Sequence, residues 1–439
     1  MSNPVLGVVS LVVAVLGVLT GFPMAFMFIF VALVFGYAAI GDQVFYLLTY
    51  QFFGLMTSVE LAAIPLFLFM GYVLEQSGLM DRMFEALRMT LGRLKGSLYL
   101  IVMLVATIFA AATGIVGASV TVLGVMAAPI MIRSGYDTRM SAGIIAAGGT
   151  LGILIPPSVM LIVMGPLMGV PVSDLFAGAI VPGLILSAVY LVYALVRSHL
   201  NPALGPPLLY EGTPPGGWQK AKEIVLGVVP IATVIMATLG LIIAGVTTPT
   251  DAAATGAFAS VVLSLAYGRM GWSRFKTAVF RTLETSAFIM FLIGAANFFG
   301  AVFARLGSGT LITDALTSLP LPPTAMLLVM LFVIFVLGGP LEWIPIVLVV
   351  VPIFIPVVKQ LGFDMLWFGI LVAVTLQSSW LTPPMALSAY FLKGVVPQWS
   401  MKNIYIGMVQ FVVLQLAVVL VLVKFPILVT WLPSVTGLQ

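Results

Sequence analysis

The chain has no cysteine, so it cannot form a disulfide, an iron–sulfur cluster or a thiolate metal site. Its one histidine, His199, stands among Arg197, Asn201 and Pro202 in a hydrophilic stretch, which argues against a histidine-based catalytic or metal centre. Charge is also scarce. Charged residues make up 7% of the 439, whereas a soluble globule carries about a quarter. So few charges cannot cover a water-facing surface of this size, which excludes a soluble enzyme, a nucleic-acid binder, a coiled coil and a disordered chain. The first apolar stretch has no basic segment before it, so no separate signal peptide is expected.

What is abundant is apolar sequence: 62% hydrophobic residues and a mean hydropathy of +1.23. The fold class that follows is an all-α polytopic membrane protein. A spanning helix needs about 20 apolar residues. Such runs fall near 5–20, 23–39, 50–74, 97–133, 139–165, 174–196, 224–246, 251–268, 283–304, 325–358, 366–393 and 404–431. The segments 97–133 and 325–358 are too long for one crossing and too short for two with a loop. Each has helix breakers at its centre, Gly114 and Gly117 in one and Gly338, Gly339 and Pro340 in the other. Both are expected to be re-entrant helical hairpins, whose irregular tips are tolerated in a membrane only when surrounded by protein or a watery cavity.

Basic residues test this layout. With both ends of the first hairpin cytoplasmic, the inner loops hold Arg82, Arg88, Arg93, Lys95, Arg133, Arg139, Arg197, Lys220, Lys222, Arg269, Arg274, Lys276, Arg281, Lys393 and Lys402. Only Arg305, Lys359 and Lys424 fall outside, a strong positive-inside bias. Both termini are then expected outside, provided that 5–39 is two helices broken at Gly21-Phe22-Pro23. The stretch 197–223, with Pro202, Pro206, Pro207, Pro214, Pro215, Gly216 and Gly217, reads as a linker between halves. Met80, Met83, Phe84, Leu87 and Leu91 recur at helical spacing among charges, as in an amphipathic helix lying in the interface.

The chain repeats itself. Pro129, Gly135, Tyr136 and Asp137 match Pro356, Gly362, Phe363 and Asp364 at an offset of 227, which also carries Pro156-Pro157 onto Pro383-Pro384. Five crossings separate the two hairpins, so the second copy is upside down. Inverted repeats with two discontinuous helices are the signature of a secondary transporter with its site at the midplane. Each Pro-Pro pair should end one half-helix and start another. The exposed carbonyls, with nearby hydroxyls, suit a small hard cation, and the amide ends suit an anion.

The first break offers Thr150, Gly152, Pro156, Pro157 and Ser158, and the second Gln377, Ser378, Ser379, Thr382, Pro383 and Pro384. Tip residues Thr113, Gly114, Gly117 and Ser119 should face the first break, and Gly338, Gly339 and Glu342 the second. The result would be two cation cages with substrate between them. Glu342 fits either the site or support of its hairpin, and Glu60 a structural role at a subunit contact. Asp137 and Asp364 read as helix N-caps. Thr248-Pro249-Thr250-Asp251 reads as the capped start of a helix whose Ala and Gly suit tight packing.

The Gly149–Ser158 stretch, Thr382-Pro383-Pro384, the Pro-Thr-Asp-Ala-Ala-Ala run at 249–254 and the overall length resemble the large membrane subunit of tripartite ATP-independent periplasmic (TRAP) transporters, the DctM-like permeases. The resemblance implies a bacterial inner-membrane importer of a small organic acid, driven by the sodium gradient. Implied partners are a separate small four-helix membrane subunit and a periplasmic substrate-binding protein, within the lipid bilayer. Implied too is an ion-transporter-superfamily elevator: scaffold 1–76, arm 77–95, first transport repeat 96–173, scaffold 174–304, second arm 305–322, second transport repeat 323–400 and C-terminal helix 401–439.

Carried over by segment, Na+ falls at Thr113, Gly114, Ser119, Thr150, Gly152, Gly338, Gly339, Gln377, Ser378 and Thr382. Substrate falls at Gly117, Pro156, Pro157, Ser158, Glu342, Ser379, Pro383 and Pro384. A free-standing carrier of the same superfamily is the alternative, distinguished by transporting without partners. An intramembrane enzyme would need clustered catalytic side chains, and a channel a continuous polar pore. Replacing both Pro156 and Pro157 with Ala should let the first broken helix run on and abolish uptake in proteoliposomes; wild-type uptake by that variant would remove the break from the mechanism.

Overall fold

A computed structural model describes residues 3–92, 94–208 and 216–437. Arg93, Pro214 and Pro215, used above for sidedness and for the linker, lie outside the described residues. Every regular element among the described residues is helical. Six helices are long and apolar enough to cross a membrane, and a further pair would make one bent span.

The N-terminal 5–39 is two helices, α1 (Asn3–Leu19) and α2 (Met24–Ile40), with Gly21 at φ 86° between them. The run 50–74 does not form one straight crossing. α3 (Gln43–Thr57) and α4 (Ala63–Gln76) meet at a 63° bend around Ser58–Ala62. Glu60 sits in that bend, exposed and accepting from Ser58 at 3.0 Å.

α5 (Leu79–Leu91) is a separate helix, divided from α4 by left-handed Gly78. α6 (Ser97–Thr113) and α7 (Val116–Arg133) form the first hairpin. Both of its ends reach the same loop: Gly96 N–H donates to Gly205 O at 2.8 Å, and Asp137 N–H to Leu204 O at 3.1 Å. The chain therefore returns to the side it left.

α8 (Thr138–Thr150) and α9 (Val159–Met168) are the halves of the first broken helix, followed by α10 (Val172–Leu200). α11 (Gly217–Ile235) passes through a π turn into α12 (Leu241–Ile243). α13 (Pro249–Ala266) and α14 (Trp272–Arg305) follow. Thr248 accepts from Asp251 N–H at 3.2 Å with Pro249 in the first turn, and buried Ala252, Ala253 and Gly256 let α13 close on α4.

The second copy comprises α15 (Ser308–Thr317), a hairpin of α16 (Pro323–Leu337) and the continuous stretch α17 (Trp343–Pro345), π turn, α18 (Val351–Gln360), then α19 (Met365–Gln377), α20 (Leu387–Val395) and α21 (Met401–Lys424). A last helix, α22 (Ile427–Thr436), is set off at Phe425-Pro426, so the described part of the C-terminal segment holds two helices rather than one.

Equivalent positions keep the 227-residue offset in detail. Asp137 accepts from Met140 N–H at 2.8 Å and Asp364 from Trp367 N–H at 2.6 Å, both as N-caps. The Pro156-Pro157 and Pro383-Pro384 peptides are both cis.

Packing divides the helices into two groups. α1–α4 and α13–α14 pack on one another. The hairpins and broken helices form the other group, together with α10, α21 and α22. α10, within the expected scaffold stretch 174–304, packs on the broken helices: Gly178 abuts Leu366 and Ile370, and Gly183 abuts Ile155, because those glycines open one face of α10 to them. The closing helices cross over: α21 lies on α8, and Trp367 on α19 donates to Leu422 O at 2.9 Å. The apolar face of α5, with Met80, Met83 and Phe84, is buried largely against α11 and α6, and Arg82 pairs with Glu223 at 3.1 Å.

α8 and α21 cross at close range. A Cβ on Gly143 would stand 2.6 Å from Gly407 O, and one on Gly407 would overlap Arg139 O. Gly407→Ala should therefore lower the thermal midpoint of the purified protein by an overpacking cost of about 1–3 kcal/mol. Gly394→Ala, with open space around it, should leave the midpoint within error of wild type.

Candidate functional site

Each tip sits on the break of its own repeat. Gly114 ends α6 at φ 63°, a left-handed conformation that glycine alone adopts without cost, and a Cβ there would lie 2.5 Å from Pro157 O. Gly152 approaches the same tip, with its Cβ position 3.4 Å from Ile115 N. In the second copy Met385 N–H donates to Gly339 O at 3.2 Å. Gly338 packs on Ser379, and Gly339 on Pro383 O and Pro384. The tips thus satisfy part of the backbone that the breaks set free.

The two breaks also meet each other. Gln377 Nε2 donates to Thr150 Oγ1 at 2.9 Å, and these residues are 227 positions apart, each the counterpart of the other. Both are fully buried, and Gln377 Oε1 has no hydrogen-bond partner. A buried carbonyl oxygen without a donor is costly unless something fills its lone pairs. Around it Thr150 donates to Ala147 O (2.7 Å), Ser378 to Thr375 O (2.6 Å) and Thr382 to Ser378 O (3.0 Å). Those hydroxyls spend their protons on backbone, which leaves oxygen lone pairs free. Oxygen acceptors without competing donors are the chemistry of a hard cation. Thr113 and Ser119 likewise donate within the tip helices, to Phe109 O and Ile115 O.

Between the tips lies a cavity of about 500 Å³. Gly114–Ala118 line it from the first tip, Glu342, Trp343 and Ile344 from the second, and Val159, Trp380 and Leu387 from the breaks. Leu68, Tyr72 and Glu75 of α4 with Arg281, Glu284 and Thr285 of α14 close the far side. The wall therefore joins both packing groups.

Both tips offer this space a helix N-terminus, at Val116 and at Trp343, where neither preceding residue caps with its side chain. First-turn amides there are free to meet an anion. Glu342 makes no side-chain hydrogen bond among the described residues. It is a wall of the cavity rather than a strut of the hairpin.

Of the residues expected to touch substrate, Gly117 and Glu342 line this cavity. Pro156, Pro157, Ser158, Ser379, Pro383 and Pro384 do not. Ser158 is occupied as the N-cap of α9, its hydroxyl donating to Ile153 O; Pro157 and Ser379 lie against tip glycines, and Pro383 and Pro384 are exposed beside Gly339 but outside the cavity lining. The expected amide end of α9 is accordingly closed, and the hairpins present the open ones. Sequence reading placed Arg281 among loop charges. It belongs to the cavity, paired with Glu75 at 2.8 Å, beside a Tyr72–Thr285 hydrogen bond of 2.7 Å. Trp343, Trp380 and Phe391 were also missed. Their only sequence signal is adjacency to a tip or a break.

Comparison with known proteins agrees with this geometry. Residues 9–428 match the family described as tripartite ATP-independent periplasmic transporter, DctM component. The chain is 31% identical to the C4-dicarboxylate TRAP transporter large permease protein DctM of Pseudomonas aeruginosa, over 86% of this chain and 85% of that one. It is 28% identical to the isethionate TRAP transporter permease protein DctMQ of Oleidesulfovibrio alaskensis, over 84% of this chain and 57% of that longer one. Among solved structures, the YdaH transporter of Alcanivorax borkumensis shares the fold, with a TM-score of 0.64 at 17% identity and 88% of each chain covered.

Gly114→Ala brings a methyl group onto a backbone oxygen in a left-handed conformation, whereas Gly339→Ala meets its nearest atom at 3.2 Å. The first substitution should cost about 2–4 kcal/mol of stability and the second less than half of that. Thermal unfolding of the two variants in one detergent checks the order.

Proposed function

Because the chain belongs to the DctM component family of tripartite ATP-independent periplasmic transporters, we propose that it imports a small organic acid across the bacterial inner membrane by sodium symport. The chain is a membrane permease and not an enzyme. A periplasmic binding protein hands over the acid, and a small four-helix membrane subunit braces the α1–α4 and α13–α14 group. The observation that carries this reading is the pair of uncapped helix N-termini, one from each inverted repeat, that open onto one cavity while each tip rests on its own break.

The carboxylate of the cargo accepts from tip amides, and cations sit behind it among the oxygens of Thr150, Gln377, Ser378 and Thr382. Their charge offsets that of the acid, so cargo and ions stabilise each other's binding. The cavity wall is shared by two packing groups, as it would be if the hairpin group slides against α4 and α14 in an elevator motion. The positive-inside bias supports a cytoplasmic location for the hairpin end flanked by Lys95, Arg133 and Arg139, with both termini in the periplasm. Two cations entering with one monoanion carry one net charge, which a membrane potential favours by about 2.3 kcal/mol per 100 mV.

Gln377→Ala and Thr150→Ala should each raise the sodium concentration for half-maximal uptake about tenfold, equivalent to losing one ligand worth about 1.4 kcal/mol, with the thermal midpoint little changed. Uptake is measured in proteoliposomes containing both partners. Unaltered sodium activation in both variants would exclude this cluster as the coupling site. Equal uptake without the binding protein would instead identify a free-standing carrier.

A further inference from the structure

The cavity between the tips is built for more than a carboxylate. Its charged lining consists of Glu75, Glu284 and Glu342 against a single guanidinium, Arg281. Arg281 is already held by Glu75, and among the described residues neither Glu284 nor Glu342 has an ion-pair partner. No group of three His, Cys, Asp or Glu among the described residues is arranged to hold a metal ion. The acids are therefore not a chelate.

Aromatic side chains form part of the remaining wall. Trp343 adjoins Glu342 in the chain. Trp380 stacks on Phe391 with ring centroids 6.3 Å apart and planes at 22°, and Phe288 and Tyr72 stand on the scaffold side. The first tip touches this wall directly, since a Cβ on Gly117 would lie 3.0 Å from the Phe391 ring.

A plain carboxylate would be received at the tip amides and repelled elsewhere, by unpaired acids and by the negative faces of the rings. A cationic nitrogen would be attracted by both. Cations held behind the tips would offset the carboxylate of the cargo, but they would leave this wall without a partner. Taking the cavity as the cargo site, we propose that the transported acid is an organic zwitterion. Its carboxylate rests on the first-turn amides of Val116–Ala118, and its ammonium group lies against Trp343, Trp380 and Phe391 beside Glu342.

The test uses the full chain in lipid nanodiscs and the quenching of its tryptophan fluorescence, with Trp343→Phe and Trp380→Phe locating the signal. Two probes of one shape are titrated: glycine betaine, and 3,3-dimethylbutanoate, in which carbon replaces the charged nitrogen. Betaine should reach half-quenching at a concentration at least about tenfold lower, and Glu342→Gln should bring the two within about twofold. Equal or tighter binding of the carbon analogue overturns the zwitterion and leaves organic-acid transport standing. No quenching by either probe removes the cavity as the cargo site, and the proposal with it.

Discussion

The structure depends on what becomes of backbone amides and carbonyls wherever a helix is interrupted inside an apolar medium. Each unmet polar group there costs several kcal/mol, so an interruption survives only if another piece of protein answers it. The two tips and two breaks answer one another in pairs: Gly114 closes on Pro157 O, and Gly339 O accepts from Met385 N–H. What the pairs leave over is the proposed site. The orphaned Gln377 oxygen lies at the centre of the pseudo-twofold arrangement, and the uncapped amides at Val116 and Trp343 face the cavity. Incomplete satisfaction of the backbone is thus how the fold generates binding capacity from a sequence with so few charged residues.

Symmetry locks these pairs in place. The closing helix of each repeat packs on the broken helix of the other, α21 on α8 and α10 on α19. The hairpin group is therefore interwoven rather than made of two separable halves, and its glycine crossings leave little room for internal shear. Against it, α4 and α14 meet the cavity through Tyr72, Glu75, Arg281 and Thr285. Buried contacts join the groups as well, Phe67 edge-on to Phe176 at 6.4 Å and Gly71 close against Thr113, so relative movement of the two groups would have to break core packing along with these polar contacts.

Much of this was legible residue by residue. The Pro-Pro pairs mark breaks because proline cannot continue a hydrogen-bonded helix, and Asp137 and Asp364 mark helix starts because a carboxylate can accept a first-turn N–H. Glycines at a hairpin centre mark tips because left-handed φ and close approach both favour them. These are local rules and they held locally. The substrate residues were harder to read. Ser158 has the right type and position for a ligand, yet its hydroxyl is consumed as a cap. Arg281 looked like one more topogenic charge, and only its partner Glu75, 206 residues away, brings it to the cavity.

The sequence by itself determined the membrane class, the inverted repeat, the hairpins and the position of each break, since these follow from hydropathy, spacing and backbone chemistry along one segment. Tertiary structure alone decided which amides stay open, that Thr150 and Gln377 touch, that α10 joins the hairpins, and which aromatic and acidic side chains share a wall. Those outcomes depend on contacts between residues hundreds of positions apart, and one-dimensional periodicity carries no term for them.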